Sequence, residues 1–208
     1  MVTSIILAGG EGSRVRGNKA LEFIGGRSSI QRVVERVAVV SDQILIVGSP
    51  VQFSFLSGYD VEYRADSHPG KGPLGGIYTG LASSKSLYNL VVACDMPFLN
   101  VALLHYMMKL SPGFNAVIPK VGMIQPLHAI YCKSCLDGIR RRLENNQLGV
   151  TYFLKTVNVR YIDQIECQRF DPQLLSFFNV NSQADLAQAN TLARENVDSG
   201  SGDSRNAS

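Results

Sequence analysis

Ser4-Ile5-Ile6-Leu7-Ala8-Gly9-Gly10-Glu11-Gly12-Ser13-Arg14-Val15-Arg16-Gly17-Asn18-Lys19 is the stretch that decides the fold. Ser4 to Ala8 is a short apolar run that breaks into glycines, which reads as a buried strand entering a loop. Gly9, Gly10, Gly12 and Gly17 let that loop turn tightly and aim several backbone amides inward. Arg14, Arg16 and Lys19 add cations to the same loop. Oriented amides combined with side-chain cations suit a polyphosphate.

Downstream of this stretch the pattern alternates. Ile30, Val33, Val34 and Val37 recur at i, i+3, i+4 and i+7, predicting an amphipathic helix from Ser29 to Ala38. Gln43 to Val47 reads as the next strand, Val61 to Tyr63 as a short one, and Leu87 to Cys94 as a second strongly buried one. A helix is expected to open through Gly75-Gly76-Ile77, and another to run from Val101 to Lys109. Ala116 to Ile118, Ala129 to Tyr131 and Val157 to Ile162 are further strand candidates; Leu136 to Leu143 and Ala184 to Glu195 read as helical. Ser182-Gln183-Ala184-Asp185 has the spacing of a capping box that starts the last helix. Strand-helix alternation predicts an α/β fold, a three-layer α/β/α sandwich around a Rossmann-like, mostly parallel sheet. In such sheets the ligand crevice lies beyond the carboxyl ends of the strands. The two most buried strands end at Ala8-Gly9-Gly10 and Ala93-Cys94-Asp95, so the chemistry is expected on those two loops.

Size and composition are consistent with one domain. The chain has 208 residues, of which 45% are hydrophobic and 18% charged. Its apolar content is ample for a core, which excludes disorder throughout. Its apolar runs are far shorter than the roughly 18 residues of a membrane-crossing helix. No basic region precedes the first apolar stretch, so no secretory signal is expected. Lys and Arg total 20 against 17 Asp and Glu, a net charge of +3 without a single-sign run, which argues against a nucleic-acid partner. Residues 1–194 are expected to form the domain and 195–208 a disordered tail. Cys94, Cys132, Cys135 and Cys167 read as reduced thiols of a cytoplasmic protein, and the lone Cys132-Lys133-Ser134-Cys135 as buried small hydrophobes.

Two motifs fall short of better-known phosphate loops. Gly12 to Lys19 resembles a Walker A loop, but Asn18 precedes the lysine and Ala20 replaces the Ser/Thr that would meet magnesium. Gly70-Lys71-Gly72-Pro73-Leu74-Gly75 fits G-x-G-x-x-G without following a first strand. It is expected to close over a ligand with Lys71. Asp66 precedes that loop. Asp95, at the tip of a buried strand and braced by Pro97, is placed to hold Mg²⁺. His68, beside the second loop, is a candidate phosphate contact; His105 and Met107-Met108 read as structural.

Leu7-Ala8-Gly9-Gly10, Ser13-Arg14, Asn18-Lys19-Ala20-Leu21, Ile24-Gly25-Gly26, Gly72 to Ile77, Ala93 to Leu99, Gln125-Pro126-Leu127 and Asn179 to Ser182 with Asp185-Leu186 occur in an order that resembles the molybdenum cofactor guanylyltransferases. That family attaches GMP to molybdopterin. The resemblance spans roughly Ile5 to Leu192. It implies that Leu7, Ala8, Gly9, Gly10, Lys19, Asp66 and Asp95 contact GTP, that Asp95 also holds Mg²⁺, and that Asn179 and Asn181 lie toward the pterin. Lys19, Arg14 and Asp95 would be the catalytic residues, acting by positioning and charge neutralisation, since the attacking phosphate oxygen is already anionic. GTP and molybdopterin are then the partners, with molybdenum-insertion proteins or apo-molybdoenzymes downstream. At Val15-Arg16-Gly17 the sequence departs from the family, the glycine being displaced by one residue. Transfer from CTP or to another acceptor, and a nucleotide-binding adaptor that delivers cofactor without turnover, remain open on the sequence.

Overall fold

The first apolar run folds as β1 (Thr3–Leu7), buried along its whole length. The structure, a computed structural model, describes residues 1–9, 19–48, 56 and 58–200; of Lys19 and residues 196–200 it describes the backbone. After a 3₁₀ turn at Lys19–Leu21 come the short strands β2 (Phe23–Ile24) and β3 (Arg27–Ser28), then helix α1 (Ser29–Ala38), β4 (Gln43–Val47) and β5 (Glu62–Arg64). Next are α2 (Gly72–Ser83), β6 (Tyr88–Ala93), α3 (Val101–Leu110), β7 (Ala116–Val121), β8 (Met123–Ile124) and β9 (His128–Cys132). The described chain closes with α4 (Leu136–Glu144), α5 (Val150–Leu154), β10 (Val159–Asp163), α6 (Gln164–Gln168) and α7 (Gln183–Gly200).

The central sheet has the order β10-β7-β9-β6-β1-β4-β5, with β8 paired to β7. Successive side chains of a strand face opposite ways, and here both ways are apolar. Ile6, Ile46, Leu90 and Val92 enter one core with Val33 and Val37 of α1 and Leu103 and Met107 of α3. Ile5, Leu7, Leu45 and Val91 enter the other with Leu74 and Ile77 of α2, Ile139 of α4 and Phe153 of α5. Helices therefore cover both faces, which is the three-layer α/β/α arrangement expected.

The sheet is mostly parallel, with β9 reversed inside it. β9 runs antiparallel to both β6 and β7. The link from β7 to β9 is a short excursion through β8, too short for the crossover that a parallel neighbour needs. Helix α2 begins at Gly72, with Pro73 in its first turn, where a missing N–H costs nothing. The expected start at Ser182 is matched by a capping box: Ser182 Oγ accepts from Asp185 N–H at 3.2 Å and Asp185 Oδ2 from Ser182 N–H at 2.8 Å. Helix α7 continues through Gly200, past the boundary placed at 194, and residues 201–208 lie outside the described residues.

Candidate active site at the carboxyl edge of the sheet

Backbone hydrogen bonds between the ends of four parallel strands assemble the candidate site. In register, Leu7 pairs with Val47 on one side and Ala93 on the other. Beyond the ladder Ala8 N–H donates to Val47 O at 2.9 Å, Gly48 N–H to Arg64 O at 3.0 Å, and Cys94 N–H to Leu7 O at 3.2 Å. The chain segments leading to Gly9, Asp66 and Asp95 thus leave the sheet along one edge. Leu7 and Ala8 are buried and form its floor, whereas Gly9 is exposed. A Cβ on Gly76 would stand 3.1 Å from Leu7 Cδ2, so the glycine lets α2 settle directly on that floor.

Asp95 is held from both flanks. Ser29 Oγ donates to the Cys94 carbonyl at 2.9 Å, and the Asp95 carbonyl accepts from Val180 N–H at 3.0 Å. Met96 and Pro97 behind it are buried. Ser29 N–H also donates to Glu22 O at 2.9 Å, so one serine ties the turn that starts at Lys19 to the loop that carries Asp95. Ala20 and Met96 share the core that also holds Ala8. Asn179 and Asn181 flank Val180 and so border the Asp95 loop.

Asp66 is fixed by its own loop and by helix α2. Its Oδ1 accepts from His68 N–H at 2.9 Å and from the Thr79 hydroxyl at 3.0 Å. His68 packs edge-on against Tyr78 of α2, with ring centroids 4.9 Å apart. Lys71 Nζ donates to Asn146 Oδ1 at 2.8 Å, spanning from the start of α2 to the turn after α4. Gly10, Arg14 and the rest of 10–18 lie outside the described residues, as does the side chain of Lys19. His105 is exposed on α3, and Met107 is buried. The Cys135 thiol, pushed up to about 12 by burial, donates to Asn115 O at 3.3 Å; it is a packed thiol, not a reactive thiolate.

Sequence patterns did not single out Ser29, Thr79 or Val180, which hold the loops of this edge. Ser29 and Thr79 carried one available signal: each is a hydroxyl residue inside an otherwise apolar helical face, and buried polar atoms are bonded.

Asp95 supplies a hard anionic oxygen on a pinned backbone, which fits Mg²⁺. Among the described residues no group of three His, Cys, Asp or Glu forms a cage for a metal.

Residues 4–159 match the family model for the MobA-like NTP transferase domain. Desulfosudis oleivorans has a molybdenum cofactor guanylyltransferase 34% identical to this chain, the match covering 90% of this chain and 94% of the relative. A relative from Peptoclostridium acidaminophilum, named "Probable molybdenum cofactor guanylyltransferase", is 33% identical over 95% of this chain and 92% of its own length. The crystal structure of molybdopterin-guanine dinucleotide biosynthesis protein A from Archaeoglobus fulgidus superposes with a TM-score of 0.80 at 29% identity, covering 93% of this chain and 99% of that one. With these relatives matched along nearly their whole length, the chain belongs to the MobA-like NTP transferase family, among the molybdenum cofactor guanylyltransferases.

Proposed function

We propose that this chain transfers GMP from GTP to the terminal phosphate of molybdopterin, releasing pyrophosphate. The observation that carries the reading is the shared edge: the Lys19 turn and the Asp95 loop are joined through Ser29, and the floor at Leu7-Ala8 lies between Asp95 and Asp66. The nucleotide lies along Leu7, Ala8 and Gly9, with Asp66 at one end and Gly10 a further contact. Lys19, with Arg14, stabilises negative charge on the departing pyrophosphate. The acceptor phosphate approaches from the side of Asn179 and Asn181. Asp95 is the residue that would hold Mg²⁺, which when bound supplies charge neutralisation between the phosphates. No side-chain nucleophile is required, because the attacking oxygen is anionic. A pterin dinucleotide made here would pass to molybdenum-insertion proteins or apo-molybdoenzymes. The cytoplasm is the proposed compartment, in keeping with four free cysteines. No helix among the described residues is long and apolar enough to cross a membrane.

The test is pyrophosphate release with molybdopterin and Mg²⁺ across a panel of GTP, CTP and ATP. GTP should be preferred, and Asp95→Ala should cut turnover on the order of 10²-fold or more. Preference for CTP would reassign the donor. GTP binding without pyrophosphate release would leave a nucleotide-binding adaptor. Near-normal turnover of Asp95→Ala at saturating Mg²⁺ would remove its metal role.

A further inference from the structure

The loop between β5 and α2 carries a run of side-chain hydrogen bonds for which the transfer reaction has no evident use. Thr79 of α2 is buried, 5% exposed, in a helix otherwise made of glycine and apolar residues on its inner side. Its one hydroxyl proton has two acceptors in reach, Asp66 Oδ1 and the Gly75 carbonyl, both at 3.0 Å. A carboxylate and a carbonyl can only accept. The proton is therefore committed to that pair, and Thr79 Oγ1 must accept at its other two contacts. These are Ser67 N–H at 3.1 Å and Ser67 Oγ at 2.8 Å. Ser67 thus donates its only hydroxyl proton to Thr79. Its contact with His68 Nδ1, at 3.0 Å, then requires the imidazole to be the donor. The run has a single direction: His68 Nδ1–H to Ser67, Ser67 to Thr79, and Thr79 to Asp66, which shares that proton with the Gly75 carbonyl.

We infer that Thr79 is a positioning residue of the nucleotide subsite, orienting the Asp66 carboxylate and, through Ser67, holding His68 as its Nδ1–H tautomer. The first half of this inference rests on the proposed contact between Asp66 and the nucleotide. Oδ1 is bonded to both Thr79 and the His68 amide, so the carboxylate is fixed before ligand arrives and Oδ2 is the oxygen it offers. A group already ordered loses less freedom on binding. His68 is then an acceptor at Nε2 whenever it is neutral. It enters the site as the outer end of a hydroxyl relay anchored on Asp66.

Three variants test this: Thr79→Val, which removes the hydroxyl at constant shape; Thr79→Ser, which restores it; and Ser67→Ala at an exposed position, which cuts only the arm to His68. GTP affinity is read by calorimetry with Mg²⁺, kcat and KM by pyrophosphate release, and the His68 tautomer by long-range ¹H–¹⁵N NMR. Thr79→Val should weaken GTP binding about tenfold, leaving kcat and the KM for molybdopterin unchanged, and Thr79→Ser should bind as wild type does. Wild type should show Nδ1–H at His68. In Thr79→Val and Ser67→Ala the proton should move to Nε2, and Ser67→Ala should keep its GTP affinity. Equal losses in Thr79→Val and Thr79→Ser would make the role one of packing alone and overturn the inference. So would Nε2–H at His68 in wild type, or unchanged GTP affinity in Thr79→Val. A wild-type chain that binds no GTP would instead overturn the proposed function, while the tautomer would still decide whether the relay exists.

Discussion

Gly80 sets how closely α2 can approach the sheet. A Cβ there would fall on Cγ2 of Ile5 and lie 2.9 Å from its Cδ1, and Ile5 is a fully buried residue of β1 with no room to turn aside. Gly80→Ala should therefore push the helix off the strand and cost on the order of 1–3 kcal/mol, read as a lower urea midpoint at unchanged m-value. A stability equal to wild type would mean that α2 can slide without loss. Gly70 and Gly72, both at positive φ, were legible as loop formers, whereas Gly75, Gly76 and Gly80 were not legible as packing residues. A missing Cβ carries no record of which neighbour occupies the space. Asp95 could be picked out because a carboxylate at the tip of a buried strand is conspicuous in sequence, and Asp66 because it precedes the second glycine loop and through the family resemblance. Thr79 could not, because its partner lies 13 positions away and no pattern links them.

The elements divide by length. Helix α1 and strand β4 occur at the expected boundaries, the helix fixed by several repeats of its apolar spacing and the strand by an apolar run closed at Gly48. The β2–β3 hairpin has two residues per strand, too few for alternation to register, and the Gly25-Gly26 turn between them was its only mark. That hairpin follows the Lys19 turn directly, and α7 clasps it. Asn190 Oδ1 accepts from Gly25 N–H at 3.0 Å and Asn190 Nδ2 donates to Phe23 O at 3.3 Å. Ile24 packs with Ala189 and Ala193 of α7 and with Val180. Loosening the start of α7 should therefore be felt at the hairpin. Ser182→Ala removes the cap and should cost about 1 kcal/mol. Hydrogen exchange should quicken together in the first turns of α7 and in residues 23–28. Faster exchange confined to α7 would show that the hairpin stands without it.

At the scale of the whole molecule, the reversed strand β9 carries a histidine into the core. Between the strand candidates that end at Ile118 and begin at Ala129, the sequence shows only a gap in periodicity. The antiparallel turn was therefore not legible there, whereas the parallel remainder was, from its strand-helix alternation. In the reversed strand His128 pairs with Val92, is fully buried, and packs on Phe177 with ring centroids 4.9 Å apart. Neither ring nitrogen has a hydrogen-bond partner in good geometry among the described residues. Burial pushes the imidazole down to about 4, with the nearby Ser176 backbone opposing this only in part. The native state therefore keeps His128 neutral, while the unfolded chain takes up a proton as pH falls below roughly 6.5. Over that interval the unfolded state binds more protons, so stability falls with falling pH until the folded group also titrates near 4. The loss from this one residue should reach on the order of 2 kcal/mol by about pH 5, relative to about pH 7.5. His128→Leu keeps the volume and removes the proton site. Urea unfolding of both proteins across that interval should give a steeper decline for wild type, the two curves converging or crossing toward neutral pH according to what the unpartnered nitrogens cost there. Parallel curves across the whole interval would mean that His128 titrates alike in the folded and unfolded chains, and that the reversed strand is not what makes this fold acid-sensitive.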